Sequence, residues 1–295
     1  MKKLSQRKFL EIRAWIYRTA RPIDLALWEF YFENATNEKF LKAWSFYQNE
    51  DGGFAYGLEP DCWSPHSSPY MTNWWSASDL EDILTDSKHP IILGILKYLN
   101  SGAYLTNGEW PWSVPSNNNY PHAPWLECKS ESNRAQNIGV TGRLTAFILI
   151  YADENSEIFK KGVSLTESLI EKFNSFADII KENSQEMHAD NGFYRTGYRE
   201  LIYAIERRGL EKQFNYAFIK EMLAEETDAN TASLDALVEE MENTNFLNIQ
   251  FDNYFTDDKH FGYCAITQLW WNVYYTIDNL KNLKKADRIE SNSLT

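Results

Sequence analysis

The stretch YQNEDGGFAYGLEPDCWSPHSSPYMTNWW, from Tyr47 to Trp75, sets the reading of the whole chain. It packs acids, glycines, hydroxyls and aromatics between two helix-like segments. Gly52 and Gly53 allow a turn that residues with a Cβ resist, while Phe54, Tyr56 and Trp63 put large apolar groups where a surface loop is ordinarily polar. A loop this aromatic is expected to be packed. Within it Glu59, Asp61 and His66 are titratable, and Ser67, Ser68 and Thr72 carry hydroxyls. Together they are expected to line a pocket whose aromatic walls perturb the carboxylates.

Outward from this loop the pattern is helical. Leu25, Trp28, Phe32 and then Phe40, Trp44, Tyr47 recur at helical spacing, with Pro22 where a first-turn proline is tolerated. Met71–Leu84 reads as one further helix, and Pro90 opens another that Gly102 stops. More helices are expected from Arg143, Ser156, Gly197, Gln213 and Ser233. Strand-like alternation is scarce, so the class is all-α. A degenerate repeat of helix, glycine-aromatic turn and helix recurs at Phe54, at Trp110 and at Phe193, which suggests α-hairpins stacked side by side.

Gln48–Phe54, QNEDGGF, resembles the repeat of the terpenoid cyclase and protein prenyltransferase α/α toroids. The longer DGGFAYGLEPD with SSPYMT behind it, His89–Gly102 (HPIILGILKYLNSG) and Val114–Trp125 (VPSNNNYPHAPW) resemble a group of bacterial toroid proteins without an assigned activity. The resemblance covers roughly the first 130 residues in specific motifs. It implies a single α/α-toroid domain over residues 1–295, with the long loops gathered at one rim and a ligand cavity lined by residues 49–72 and 104–126. The loop FDNYFTDDKHFGY, residues 251–263, departs from the expected glycine-tryptophan form.

Bulk properties narrow the function. The chain has 295 residues, 11 of them Trp, and no stretch with the composition of a linker. The formal net charge of -13 opposes a sequence-independent grip on nucleic acid or an anionic membrane surface. Arg195, Arg199, Arg207 and Arg208 cluster, but Glu200, Glu206 and Glu211 flank them as on a solvated helix face. Cys62, Cys128 and Cys264 form no CxxC pair, so a reducing compartment fits. Neither a signal-peptide core nor a membrane-spanning run is present, and a cytosolic location is expected.

Glu59 and Asp61 are the candidate catalytic residues. Two acids can flank a glycosidic bond, or one can keep its proton in an apolar pocket and protonate an olefin. They can equally cap a helix or tie down the loop. The aspartate cluster of proton-initiated terpene cyclases is absent. Asp51, Tyr56, His66, Ser67, Ser68 and Thr72 are candidate ligand contacts in the same loop. Asn107–Trp125 adds Trp110, Asn117, Asn118, Asn119, His122 and Trp125, since indole platforms with amides hold sugars well; the alternative is a rigid, proline-braced loop. His260 and Cys264, four apart near Asp257 and Asp258, are too few for a zinc site, so no metal and no cofactor is expected. No GxSxG elbow appears. The expectations are a binder or catalyst for a small hydrophobic or amphipathic, isoprenoid-like molecule; a carbohydrate-active protein; or an interaction scaffold without catalysis.

Overall fold

Helices take up most of the chain, and many begin where the sequence supplies a cap. The computed structural model describes residues 1–84, 86–129, 134–182, 193–224, 231–246 and 264–290. Among these, β-pairing is confined to isolated bridges. The backbone separates into two compact units, residues 1–46 with 227–295, and residues 47–226.

The first unit contains α1 (Gln6–Thr19), α2 (Pro22–Phe32), α3 (Glu38–Ser45), α11 (Thr231–Asn243) and α12 (Cys264–Lys285). The spacing did not single out α1. Its cap is Ser5, whose hydroxyl accepts from the Lys8 N–H, and Ile12, Trp15 and Ile16 bury its inner face. Proline at the first position opens α2. Just before it Arg21 forms a two-pronged pair with Asp24, Nε to Oδ2 at 2.6 Å and Nη2 to Oδ1 at 3.0 Å, and both residues are buried. The guanidinium also lies 5.1 Å from the Trp270 ring centre of α12. Residues near the two ends of the described chain close on each other: Leu4 N donates to the Arg288 carbonyl at 2.8 Å and Glu290 N to the Leu4 carbonyl at 3.0 Å. Leu4 is fully buried there.

The second unit contains α4 (Pro69–Thr72), α5 (Ala77–Leu80), α6 (Pro90–Ser101), α7 (Arg134–Tyr151), α8 (Glu157–Glu182), α9 (Phe193–Arg207) and α10 (Ala217–Ala224). The most extensive helix packing is α7 on α9, and glycines permit it. A Cβ on Gly142 would fall 2.6 Å from the Gly197 carbonyl oxygen. On another face of α7, Gly162 of α8 lies against Ile148, where a Cβ would meet Cγ2 at 2.7 Å. His89 caps α6 through Nδ1, and Gly102 ends it in the left-handed region, φ 73°.

Met71–Leu84 is not one helix. The chain turns at Asn73–Ser76 between α4 and α5, because tertiary and capping bonds outweigh helical propensity there. The Asn73 carboxamide Nδ2 donates to the Val140 carbonyl of α7 at 3.4 Å, and the Ser76 hydroxyl accepts from Asp79 N at 3.2 Å to start α5 afresh.

Candidate functional site

The glycine turn is fixed from several directions. Gln48 Nε2 donates to the Gly52 carbonyl at 2.9 Å and to the Ile91 carbonyl of α6 at 3.0 Å. One amide thus anchors the loop to the first turn of a helix. Gly52 adopts φ 94° and touches Gly94 of α6, whose carbonyl carbon would sit 2.5 Å from an added Cβ. Asp51 Oδ1 accepts from Gly53 N at 2.9 Å and from the Ser67 hydroxyl at 2.8 Å. Ser68 caps α4 by accepting from Met71 N at 3.1 Å. The Thr72 hydroxyl donates to the Ser68 carbonyl at 2.7 Å and accepts from Phe54 N at 3.1 Å. Asp51, Ser67, Ser68 and Thr72 are therefore engaged in holding the loop, a role their types suit as well as ligand contact.

The loop then runs against the second aromatic loop. Cys62 and His122 form an antiparallel bridge. Ala123 N donates to the Asp61 carbonyl at 2.8 Å, and Trp63 N to the Pro121 carbonyl at 3.0 Å. Segments 60 residues apart in sequence (62 and 122) are joined at the backbone, and the candidate Asp61 lies beside the candidate His122.

Glu59 is fully buried and Asp61 is 4% exposed. Glu59 Oε2 accepts from Asp61 N at 3.0 Å, and Oε1 from the Tyr70 hydroxyl at 3.4 Å. Tyr70 begins an aromatic run. Its ring centre is 3.8 Å from that of Trp112 and 5.9 Å from that of Phe193, and Trp112 is 4.8 Å from Phe193. Polar residues of α7 hold this run in place: Asn137 Oδ1 accepts from Trp112 N, and Thr141 Oγ1 from Trp110 N, both at 2.8 Å. Arg143, further along α7, lies over the Phe193 ring at 5.5 Å.

The other candidates fall into two groups. Trp110 is fully buried and donates from Nε1 to the Ala103 carbonyl at 3.2 Å, so it is a core residue. Asn117 Nδ2 donates to the Leu126 carbonyl at 3.1 Å. Asn118 exchanges bonds with the Cys128 backbone at 2.9 and 2.7 Å. These two amides brace their own loop. His122 is buried, its Nδ1 2.7 Å from the Tyr120 carbonyl. Tyr56, Asn119, His66 and Trp125 are exposed, and His66 Nε2 is 3.5 Å from the Tyr120 hydroxyl. Trp125 keeps 52% of its surface.

Cys62 shares the buried setting of the acids. Burial pushes its thiol up to about 12; the Ser64 backbone opposes that rise, and the Glu59 and Asp61 carboxylates add to it. Of the clustered arginines, Arg207 pairs with Glu81 and Arg208 with Glu154. Arg208 also lines a separate cleft of about 630 Å³ with Lys88, Leu93, Leu96, Tyr151 and Ile158.

No group of three His, Cys, Asp or Glu side chains among the described residues gathers to hold a metal ion. Asp257, Asp258, His260 and the Cys264 side chain lie outside them, as do residues 190–192 of the third glycine turn. No helix among the described residues is long and apolar enough to cross a membrane. Sequence reasoning missed Tyr70, Asn73, Trp112, Arg143 and Phe193. For Arg143 a signal existed: it stands in the apolar run RLTAFILIYA with Gly139, Val140, Ala146 and Phe147 at the positions where a helical ion pair would need an acid. Compared with protein-family models, with curated proteins and with solved structures, the chain matches none.

Proposed function

We propose that residues 47–226 bind a small amphipathic molecule, with its apolar body on the Tyr70, Trp112 and Phe193 rings and its polar end at Arg143. The observation that carries this reading is Arg143 itself. No carboxylate among the described residues pairs with it; its recorded partners are the Trp74 carbonyl, accepting from Nη2 at 2.9 Å, and the Phe193 ring. A half-buried cation left beside aromatic rings is how sites orient a ligand that is polar at one end. Phe193, less buried than Tyr70 or Trp112, offers the accessible face of the run. Glu59, which accepts from the Tyr70 hydroxyl, and Asp61, whose N–H donates to Glu59, are the groups that would act as acid or base on a bound molecule. The closed α/α toroid and the isoprenoid-like ligand class are what the resemblance to terpenoid cyclases and prenyltransferases implies, and this reading adopts both.

A carbohydrate ligand is the second reading, favoured by the half-exposed Trp125 indole. It is weakened where Asn118 spends both ends of its amide on the Cys128 backbone. Native mass spectrometry of protein purified from its own host separates the two. A retained lipid-like mass, lost in Trp112→Ala, supports the amphipath; a retained sugar mass, lost in Trp125→Ala, supports the alternative and ends the first reading.

A further inference from the structure

Two buried polar atoms along one seam have no partner. The Asn73 side chain is 3% exposed; its Nδ2 is engaged by the Val140 carbonyl, but Oδ1 accepts nothing. Turning the carboxamide over would set its oxygen against another carbonyl oxygen, so the acceptor is the atom left over. Arg143 Nε is likewise buried without an acceptor, while Nη2 of the same guanidinium is tied to the Trp74 carbonyl. Asn73 and Trp74 are consecutive, and Val140 and Arg143 are one turn apart on α7, so the same short seam carries both unmet groups. Each such group keeps its desolvation cost if nothing meets it.

The two demands are complementary. Arg143 needs an acceptor, best an anionic oxygen, and Asn73 needs a donor. We infer that the polar end of the ligand is the head of a 2-hydroxy acid, with its carboxylate on Arg143 and its hydroxyl donating to Asn73 Oδ1. A dianionic phosphate suits this place less well. It would bring two negative charges to one unpaired cation, and the buried Glu59 already lies against the Tyr70 hydroxyl of the same ring run. This inference rests on the amphipath reading above.

The test titrates the full chain with octanol, octanoate, 2-hydroxyoctanoate and monooctyl phosphate by calorimetry, with circular dichroism on each variant to establish folding. The hydroxyl should tighten 2-hydroxyoctanoate over octanoate about tenfold, the scale of one satisfied buried acceptor. Arg143→Gln should weaken both acids about tenfold or more and leave octanol unchanged. Asn73→Leu, or Asn73→Ser if the leucine variant does not fold, should erase the hydroxyl gain alone. Equal affinity of the two acids for the unmutated protein overturns the inference and leaves the amphipath reading standing, the two atoms then being met by an ordered water. Tighter binding of monooctyl phosphate than of 2-hydroxyoctanoate also overturns it. No binding of any probe up to about 1 mM ends both readings.

Discussion

Gly142 of α7 and Gly197 of α9 meet backbone to backbone: a Cβ on Gly142 would stand 2.6 Å from the Gly197 carbonyl oxygen, and one on Gly197 would stand 2.7 Å from the Gly139 carbonyl oxygen. Neither obstacle is a movable side chain. Gly142→Ala should therefore separate the helices and destabilise the second unit by about 1–3 kcal/mol, although alanine is the better helix former. Gly209, with nothing within 4 Å of its Cβ position but φ 67°, serves as the control, since its alanine variant tests backbone strain alone. Chemical denaturation of the variants checks the ranking.

Glu59 should behave as a structural acceptor whatever else it does. Truncation to alanine strips the acceptor from Asp61 N and the Tyr70 hydroxyl inside the protein, and should cost about 1–3 kcal/mol. Glu59→Gln keeps a carbonyl oxygen in place and should recover most of that loss. A glutamine variant that is stable yet no longer binds the amphipath would assign the charge to the ligand and the shape to the fold.

For Cys62 the direction of the shift sets the chemistry. With the thiol pushed up to about 12, its thiolate fraction at pH 8 is on the order of 10⁻⁴. Iodoacetamide at pH 8 should label the partly exposed Cys128 first and reach Cys62 only on unfolding. The folded thiol ionises later than the unfolded one, near 8.5, so its contribution is whole below that pH and is lost as pH climbs toward about 12. Burial raises the Tyr98 and Tyr151 hydroxyls as well, and they add to the same alkaline loss. Unfolding midpoints should fall above about pH 9, and less steeply in Cys62→Ala.

In the first unit Asp24→Ala should be severe, about 3 kcal/mol, since it removes the carboxylate that forms the two-pronged pair with the buried Arg21 guanidinium. Replacing both partners by Met and Leu should cost markedly less, because neither charge of this pair then has to be buried. Thermal unfolding of the three proteins measures the difference.

The sequence was legible where a local rule governs. Pro22, Pro90 and Gly102 mark helix ends by backbone chemistry alone, and each stands at a helix end in the structure. The division of Met71–Leu84 was not legible, because it depends on Asn73 finding a carbonyl on α7. The Gln48 motif was visible as a pattern, whereas its partner, the Ile91 carbonyl, is 43 residues away. At the site, the sequence picked out loop residues with chemical side chains. Several of these, Asp51, Ser68 and Thr72 among them, are held by the loop's own backbone, while the ring run from Tyr70 to Phe193 draws on three separate stretches that no spacing rule connects.

The closing of Leu4 on Arg288 and Glu290 has a consequence for synthesis. The first unit needs residues from both ends of a span of more than 280 positions, since Glu290 N bonds the Leu4 carbonyl across 286 of them. It cannot be completed until nearly all of that span has left the ribosome. Residues 47–226 are continuous and have their own helix packing, so they are free to fold while α1–α3 wait for α11 and α12. At about 5–20 residues per second, the interval from residue 226 to residue 290 is some 3–13 s. Through that interval Trp15 lacks Phe246, whose ring centre lies 5.4 Å from its own, and α1 and α2 lack α12, so apolar surface of the first unit stays uncovered on the nascent chain.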